Sequence, residues 1–340
     1  MTTMQTSPVV KGDGPQLNKR HRSFRPNTKH VPILATLGLL VAMYVSGLAN
    51  YPRFDNPMVV VNLFRDNAVL LVVAVGMTFV ILTGGIDLSV GAVISLTTVL
   101  TATLLKADWP PLVVLPAVLV LGALIGAGQG AVIHYFKVEP FIATLAGLFL
   151  ARGLALFINE DSIPIRNDMW RELSDFRIPL ADGVSTKPIA IVALLTLLIA
   201  AVVLAWTRFG RNVYAIGGNA DSALLMGLPV GRTKIAVYTL SGFCAALGGV
   251  LFSINSTSGW AGQGNGIELD AIAACVIGGV LLTGGSGFVW GTLLGVLVTG
   301  LIRTLINFQG DLNVAWSQII VGVLLFSFIV MQRLVTRKAR

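Results

Sequence analysis

The sequence predicts an all-α polytopic membrane protein, and three observations lead there. The 340 residues are 55% hydrophobic and only 12% charged, with a mean hydropathy of +0.81, whereas soluble domains carry about a quarter charged residues. Apolar runs of about 20 residues, the helix length that crosses a hydrocarbon core of roughly 30 Å, recur along the chain. Between them the largest polar insert is about thirty residues, below the size of an unassisted soluble core.

Taken in order, residues 1–30 are polar, rich in Ser, Pro and Gly, and carry Lys19, Arg20, Arg22, Arg25 and Lys29. Such a segment buries too little apolar surface to fold and predicts a disordered basic tail. No small-residue cleavage site follows the first apolar run, so that run is expected to remain as a span and not to leave as a secretory signal. Polar and Pro/Gly punctuation divides residues 31–332 into about ten spans of one membrane domain. They run from Val31 to Ala49, Met58 to Leu82, Leu88 to Leu105, Leu112 to Tyr135 and Phe141 to Ile158, then from Pro188 to Trp206, Lys234 to Ile254, Ile267 to Leu282, Phe288 to Ile306 and Ala315 to Met331. Residues 333–340 form a second basic tail through Arg333, Arg337, Lys338 and Arg340.

Ten spans put both tails on one side, and Lys and Arg collect on the cytoplasmic side of a membrane. The segment from Thr207 to Lys234 joins that side, with Arg208, Arg211, Arg232 and Lys234 against the single acid Asp221. Both termini are therefore expected in the cytoplasm. The opposite segment, Asn159 to Lys187, sets Arg166, Arg171, Arg177 and Lys187 against Glu160, Asp161, Asp168, Glu172, Asp175 and Asp182, and reads as external. The net charge of +8 sits in tails and one loop, without the aromatic-interleaved stripe of a nucleic-acid surface, so a nucleic-acid partner is not expected.

Several chemistries are excluded. Gly284, Gly285, Ser286 and Gly287 match the G-x-S-G pattern of rhomboid-type proteases, but the base that such a Ser needs would lie on a later span, and the histidines, His21, His30 and His134, are all earlier. No phosphate-cradling G-x-x-x-x-G-K-[ST] loop and no metal-ligand pair at helical spacing occurs. No catalytic residue, cofactor or metal is expected. Cys244 and Cys275 lie in separate apolar runs and read as small buried hydrophobes.

Two L-T-G-G segments, Leu82 to Gly85 and Leu282 to Gly285, stand 200 residues apart, with Gly91 and Gly291 at the same offset beyond them. They suggest a weak internal repeat, and Gly-interrupted spans at matching places point to a substrate path in transporters built from repeats. Paired glycines end a helix, after which Asp87 or Ser89 caps the next one; an ionisable group at membrane depth also suits a cavity lining. Both readings of Asp87 stay open, as they do for Glu268 and Asp270, while Arg152 and Arg303 are equally explained by snorkelling to the interface. The path is expected along Thr83, Gly84, Gly85, Asp87 and Ser89, and along Glu268, Asp270, Thr283, Gly284 and Gly285.

The segment after Arg208 is the most specific. In Asn219, Ala220, Asp221, Ser222, Ala223, Leu224, Leu225, Met226 and Gly227, Asn219 suits an N-cap, Asp221 the acid-favouring first turn, and Gly227 a stop. So short a helix is marginal in water, and its apolar group Leu224, Leu225 and Met226 implies contact with another protein surface.

On Gly76 to Gly91, Tyr214 to Asn219, and Glu268 to Ala273 with Gly278 and Gly279, the chain resembles the ribose-type monosaccharide permeases of bacterial ABC importers, with its nearest likeness to galactofuranose-importer permeases. The likeness extends from Met58 to Gln332. It implies an inner-membrane subunit that is no enzyme, paired with a second permease chain in a homodimer or heterodimer. It also implies a cytoplasmic ABC ATPase that binds the ATP, a periplasmic sugar-binding protein, and Asn219 to Gly227 as the helix that couples to the ATPase.

Overall fold

The computed structural model describes residues 31–310, 313 and 315–337; the tail expected over residues 1–30 and the end of the one over 333–340 lie outside them. Helix α1 (Val31–Asn50) leads to α2 (Pro57–Asp66) and α3 (Ala68–Leu82). Asn56 caps α2 by accepting the Met58 N–H at 2.8 Å. Asn67 then interrupts the helix: its amide donates to the Leu63 carbonyl at 2.8 Å and the axis turns by 52°. The span expected from Met58 to Leu82 is thus a bent pair.

Next come α4 (Val90–Lys106), α5 (Pro111–Tyr135) and α6 (Pro140–Ile158). The polar insert beyond them is structured: β1 (Ile163–Pro164), α7 (Asp168–Asp175), and a hairpin of β2 (Ile178–Ala181) with β3 (Val184–Thr186). Trp170 of α7 is fully buried and donates its indole N–H to Ser253 Oγ at 3.1 Å, which ties the insert to the spans. Helix α8 (Pro188–Trp206) recrosses to α9 (Arg208–Gly218) and α10 (Ala220–Leu225). Then α11 (Val230–Ser256) returns to β4 (Ser258–Gly259), followed by α12 (Ile267–Ile277), α13 (Val289–Gln309) and α14 (Ala315–Arg337). The last helix runs past Met331, so part of the expected C-terminal tail is helical. We call the face bearing α9 and α10 the basic face, and the face bearing α7 and the hairpin the insert face.

Among the described residues seven helices are long and apolar enough to cross a membrane, and eight if α2 and α3 form one bent span. The expected ten included two shorter ones. Helix α4 has 17 residues, about 25 Å at 1.5 Å per residue. Helix α12 has only 11, about 16 Å or half a hydrocarbon core. The run from Ile267 to Leu282 is not one helix because Gly279, at φ 91°, adopts a conformation that a helix cannot continue.

Lipid offers no hydrogen bonds, so such a break survives only where protein satisfies the freed backbone. At the α12 C-terminus Gln332 of α14 donates to the Val276 carbonyl at 3.0 Å, and the Thr36 hydroxyl of α1 donates to the Ile277 carbonyl. Before α12, non-helical backbone re-enters the protein along α4: β4 pairs antiparallel with β1, and Gly259 and Gly264 lie against α4 backbone.

The core is organised on α11, which packs on α3, α4 and α5. Along α5, Gly122, Gly126 and Gly130 meet Gly242, Tyr238 and Ile235 of α11 backbone to backbone, the close approach that small residues permit between membrane helices. A Cβ at Gly126 would strike the Tyr238 carbonyl, which cannot swing aside as a side chain could. Gly126→Val should therefore cost about 1–3 kcal/mol and lower the unfolding temperature of the detergent-solubilised chain. Gly128→Val, with nothing within 4 Å of the added carbon, should leave the melt unchanged, and equal melting of the two variants would show that this seam does not govern stability.

Candidate translocation and coupling sites

The two L-T-G-G segments fold alike. In each, the first glycine takes a left-handed φ, 80° at Gly84 and 82° at Gly284, and donates its N–H back three residues, to Ile81 at 2.8 Å and to Leu281 at 2.9 Å. Each turn is followed by a new helix, at Val90 and Val289. The flanking helices run the same way: Cys275 lies against Ala74 and Thr78, and further along Gly285 donates to the Leu82 carbonyl at 2.9 Å. The two copies share this turn and a parallel direction and touch each other, but they differ around it: α3 runs straight into its tetrapeptide while α12 stops at Ile277, and only Gly285 of the two second glycines is left-handed.

The segment carrying α9 and α10 closes on this junction. Gly217 occupies a site where a Cβ would strike both the Leu82 carbonyl and the Gly285 amide. Gly218 abuts Gly285, Tyr214 donates its hydroxyl to the Gly287 carbonyl at 2.9 Å, and the Phe209 and Phe79 rings stack at 6.1 Å. Three expected path positions differ in access: Gly84 and Thr283 are exposed at this junction, while Thr83 is buried with its hydroxyl on the Val80 carbonyl at 2.8 Å.

Asp87 and Ser89 lie deeper. Asp87 is fully buried; its Oδ1 accepts from the Ser89 N–H at 2.9 Å and the Ser89 hydroxyl at 2.7 Å, and its Oδ2 from Ser241 at 2.7 Å. The residue at the start of α4 is Ser89, and Asp87 forms an Asx turn onto it while tying α4 to α11. The Ser89 oxygen also lies 3.1 Å from Gln129 of α5, and the buried Tyr238 hydroxyl nearby has no partner among the described residues. Gln129, Ser241 and Tyr238 escaped sequence reasoning, although a Gln inside an apolar run is a signal.

A second constellation surrounds the re-entrant backbone. Arg152, from the middle of α6, donates to the Ala261 carbonyl at 2.5 Å and the Gln263 carbonyl at 3.0 Å, and Ser95 of α4 adds a hydroxyl to Ala261 at 2.5 Å. Arg152 is thus an internal clamp, and snorkelling does not describe it. Glu268 accepts from the Gly266 N–H at 3.3 Å with Oε1, while Oε2 is buried against Gly91 without a partner among the described residues. Asp270 sits apart, in a 2.5 Å ion pair with Arg303 of α13.

Helix α10 has the expected capping. Asn219 Oδ1 accepts the Ser222 N–H at 2.7 Å, Asp221 lies in the first turn, and Gly227 closes the helix at φ 78°. Ala223 is buried beside Ile216 and Val230, whereas Leu224, Leu225 and Met226 are 62%, 89% and 70% exposed.

These spans, the broken crossing and the short helix braced against it are the parts of a membrane permease. The family described as branched-chain amino acid transport system, permease component, matches residues 59–329, and the chain belongs to it. Over 306 residues it is 46% identical to the inner membrane ABC transporter permease protein YjfF of Escherichia coli, covering 90% of this chain and 92% of the relative. It is 39% identical over 320 residues to the fructose import permease protein FruG of Bifidobacterium longum, covering 92% and 94%. With the ribose import permease protein RbsC of Haemophilus influenzae it shares 36% identity over 273 residues, 80% and 84% of the two chains. No solved structure matches. The protein is accordingly a multi-pass inner-membrane permease of an ABC transport system, a transport component and not an enzyme.

The Arg152 clamp is testable without substrate. Hydrogen bonds from a charged group contribute about 1.5–3 kcal/mol each, so Arg152→Ala should free the segment around the buried Ala261. In an Ala261→Cys background, maleimide labelling of intact vesicles should quicken at least about fivefold with Arg152→Ala and less with Arg152→Lys. Unchanged labelling would mean that Ser95 and the β1–β4 pairing suffice to hold the segment.

Proposed function

We propose that this chain is the permease subunit of an importer for a monosaccharide, galactofuranose- or ribose-like, driven by ATP hydrolysed on a partner ATPase. The observation that carries the reading is the placement of α10. Its apolar tip projects outward while its base, through Gly217 and Gly218, rests on both L-T-G-G turns. A partner that moved this tip would push on the two turns together, and the proposed path is lined from those turns by Thr83, Gly84, Gly85, Asp87, Ser89, Glu268, Asp270, Thr283, Gly284 and Gly285.

On this reading the basic face is cytoplasmic, in keeping with the distribution of Lys and Arg, and Leu224, Leu225 and Met226 dock in a groove of the ATPase. The structured insert from Asn159 to Lys187 faces the periplasm and receives the sugar-binding protein. A second permease chain, identical or not, completes the path. The sugar class is supported by the relatives named for fructose and ribose import; these sugars and galactofuranose can all present a five-membered ring. The family description favours a second reading, branched-chain amino acids.

Uptake by the assembled transporter in proteoliposomes separates the two. ATP-dependent entry of labelled ribose, fructose or galactofuranose supports the sugar reading, whereas leucine entry without sugar entry would sink it. Within the same assay, Leu224→Asp would place an unpaired charge in the docked interface at several kcal/mol. It should abolish uptake with normal membrane insertion, and wild-type uptake with Asp at both Leu224 and Leu225 would place the coupling surface elsewhere. On the insert, single cysteines replacing Asp168 and Asp175 should crosslink to the binding protein, more weakly as salt rises; labelling of both from the cytoplasmic side alone would reverse the orientation.

A further inference from the structure

We propose that the groove between α8 and α11 binds one acidic phospholipid, with an acyl chain along the groove and the phosphate on Arg232. Two hollows of about 310 and 720 Å³ share Val203, Leu240 and Phe243 in their walls, so they adjoin end to end and together make the channel on the flank of the protein. The channel extends along α11 from Arg232 to Leu247, about 22 Å at 1.5 Å per residue. One leaflet with its headgroups is half of roughly 40–45 Å, so the length suits a single lipid.

The chemistry of the walls selects the occupant. They are almost wholly apolar, and their two hydroxyls are already used inside their own helices: Thr196 donates to Val192 and Thr239 to Ile235, each at 2.8 Å. Nothing along the channel asks for a hydrogen bond, which suits hydrocarbon. Charge appears only at the basic-face mouth, where exposed Arg232 has no carboxylate partner among the described residues. Trp206, 76% exposed at the end of α8, marks the headgroup level there, as interfacial tryptophans do. A zwitterionic lipid would fill the channel, but its own headgroup cation offsets the phosphate that faces the guanidinium; a phosphate without a second cationic group brings a net negative charge and matches it bidentately.

The inference rests on the membrane-spanning fold alone and stands or falls independently of the transported substrate. Its test is native mass spectrometry of the full chain released from nanodiscs of mixed phosphatidylglycerol and phosphatidylcholine. Wild type should retain one phosphatidylglycerol at least about fivefold in preference to phosphatidylcholine. Arg232→Gln should lose the preference and Arg232→Lys should keep most of it. Ala236→Trp, which plugs the channel, should lose retention with an unchanged unfolding temperature. Equal retention of the two lipids by wild type, or undiminished preference in Arg232→Gln, would overturn the proposal. So would efficient crosslinking in membranes between Phe243→Cys chains, because a second permease copy would then cover the groove.

Discussion

Everything in this structure answers to one constraint: within a bilayer, backbone amides and carbonyls must be bonded inside the protein. An unbroken helix meets the constraint alone, and α6 and α8 do so. The crossing through α12 does not, because its first part is re-entrant strand and loop and its helix stops at Ile277. Four polar side chains around it serve that deficit. Arg152 and Ser95 bond the carbonyls before the helix; Thr36 and Gln332 bond those at its end. Four different helices therefore hold one short one, and a broken span becomes the most cross-braced part of the molecule.

The sequence made the place of the apolar elements legible, because every expected span overlaps an observed helix, but not the count of ten crossings, since seven or eight helices are long and apolar enough to cross. It concealed which of them cross the membrane unbroken. Hydropathy measures how much water is excluded, and protein excludes water as well as lipid does. Nearly every residue of α3 is buried, and α4 is buried along most of its length, so both read as uniformly apolar although neither is wrapped in lipid. The break before α12 was marked by glycines and by Ser258, Gln263 and Asn265, which read as a loop and not as backbone re-entering the protein. Asn67, which bends α2 against α3, was visible as a polar residue within an apolar run, but its geometry depends on the bond it makes to Leu63.

Local signals did better where the physics is local. The cap of α10 follows from Asn219, Asp221 and Gly227 within about two turns of each other, and the matched φ of Gly84 and Gly284 follows from a shared tetrapeptide. Long-range bonds were not legible. The Asp87 carboxylate has to be seen with Ser241, 154 positions away, before it becomes an inter-helix tie, and Arg152 needs Ala261 across 109 positions. For a carboxylate or a guanidinium in an apolar run, sequence establishes that a partner must exist; only the fold supplies it.

The repeat gives these pieces a mechanical order. Two glycine turns meet that match at their first glycine but not at their second, since Gly285 is left-handed at φ 73° and Gly85 is not, and the amide of Gly285 bonds the carbonyl of Leu82 where the equivalent N–H of the first turn bonds its own helix at Val80. The copies are thereby unequal at the point where they touch. Gly217 fills that point so tightly that any side chain would separate the turns, and Gly217 is one residue from the Gly218 that ends α9, with Asn219 starting α10 immediately after. Tyr214 and the Phe209–Phe79 stack hold α9 to the same place. Packed interiors transmit strain in this way. Because Gly217 has no side chain, the end of α9 packs against both turns at once.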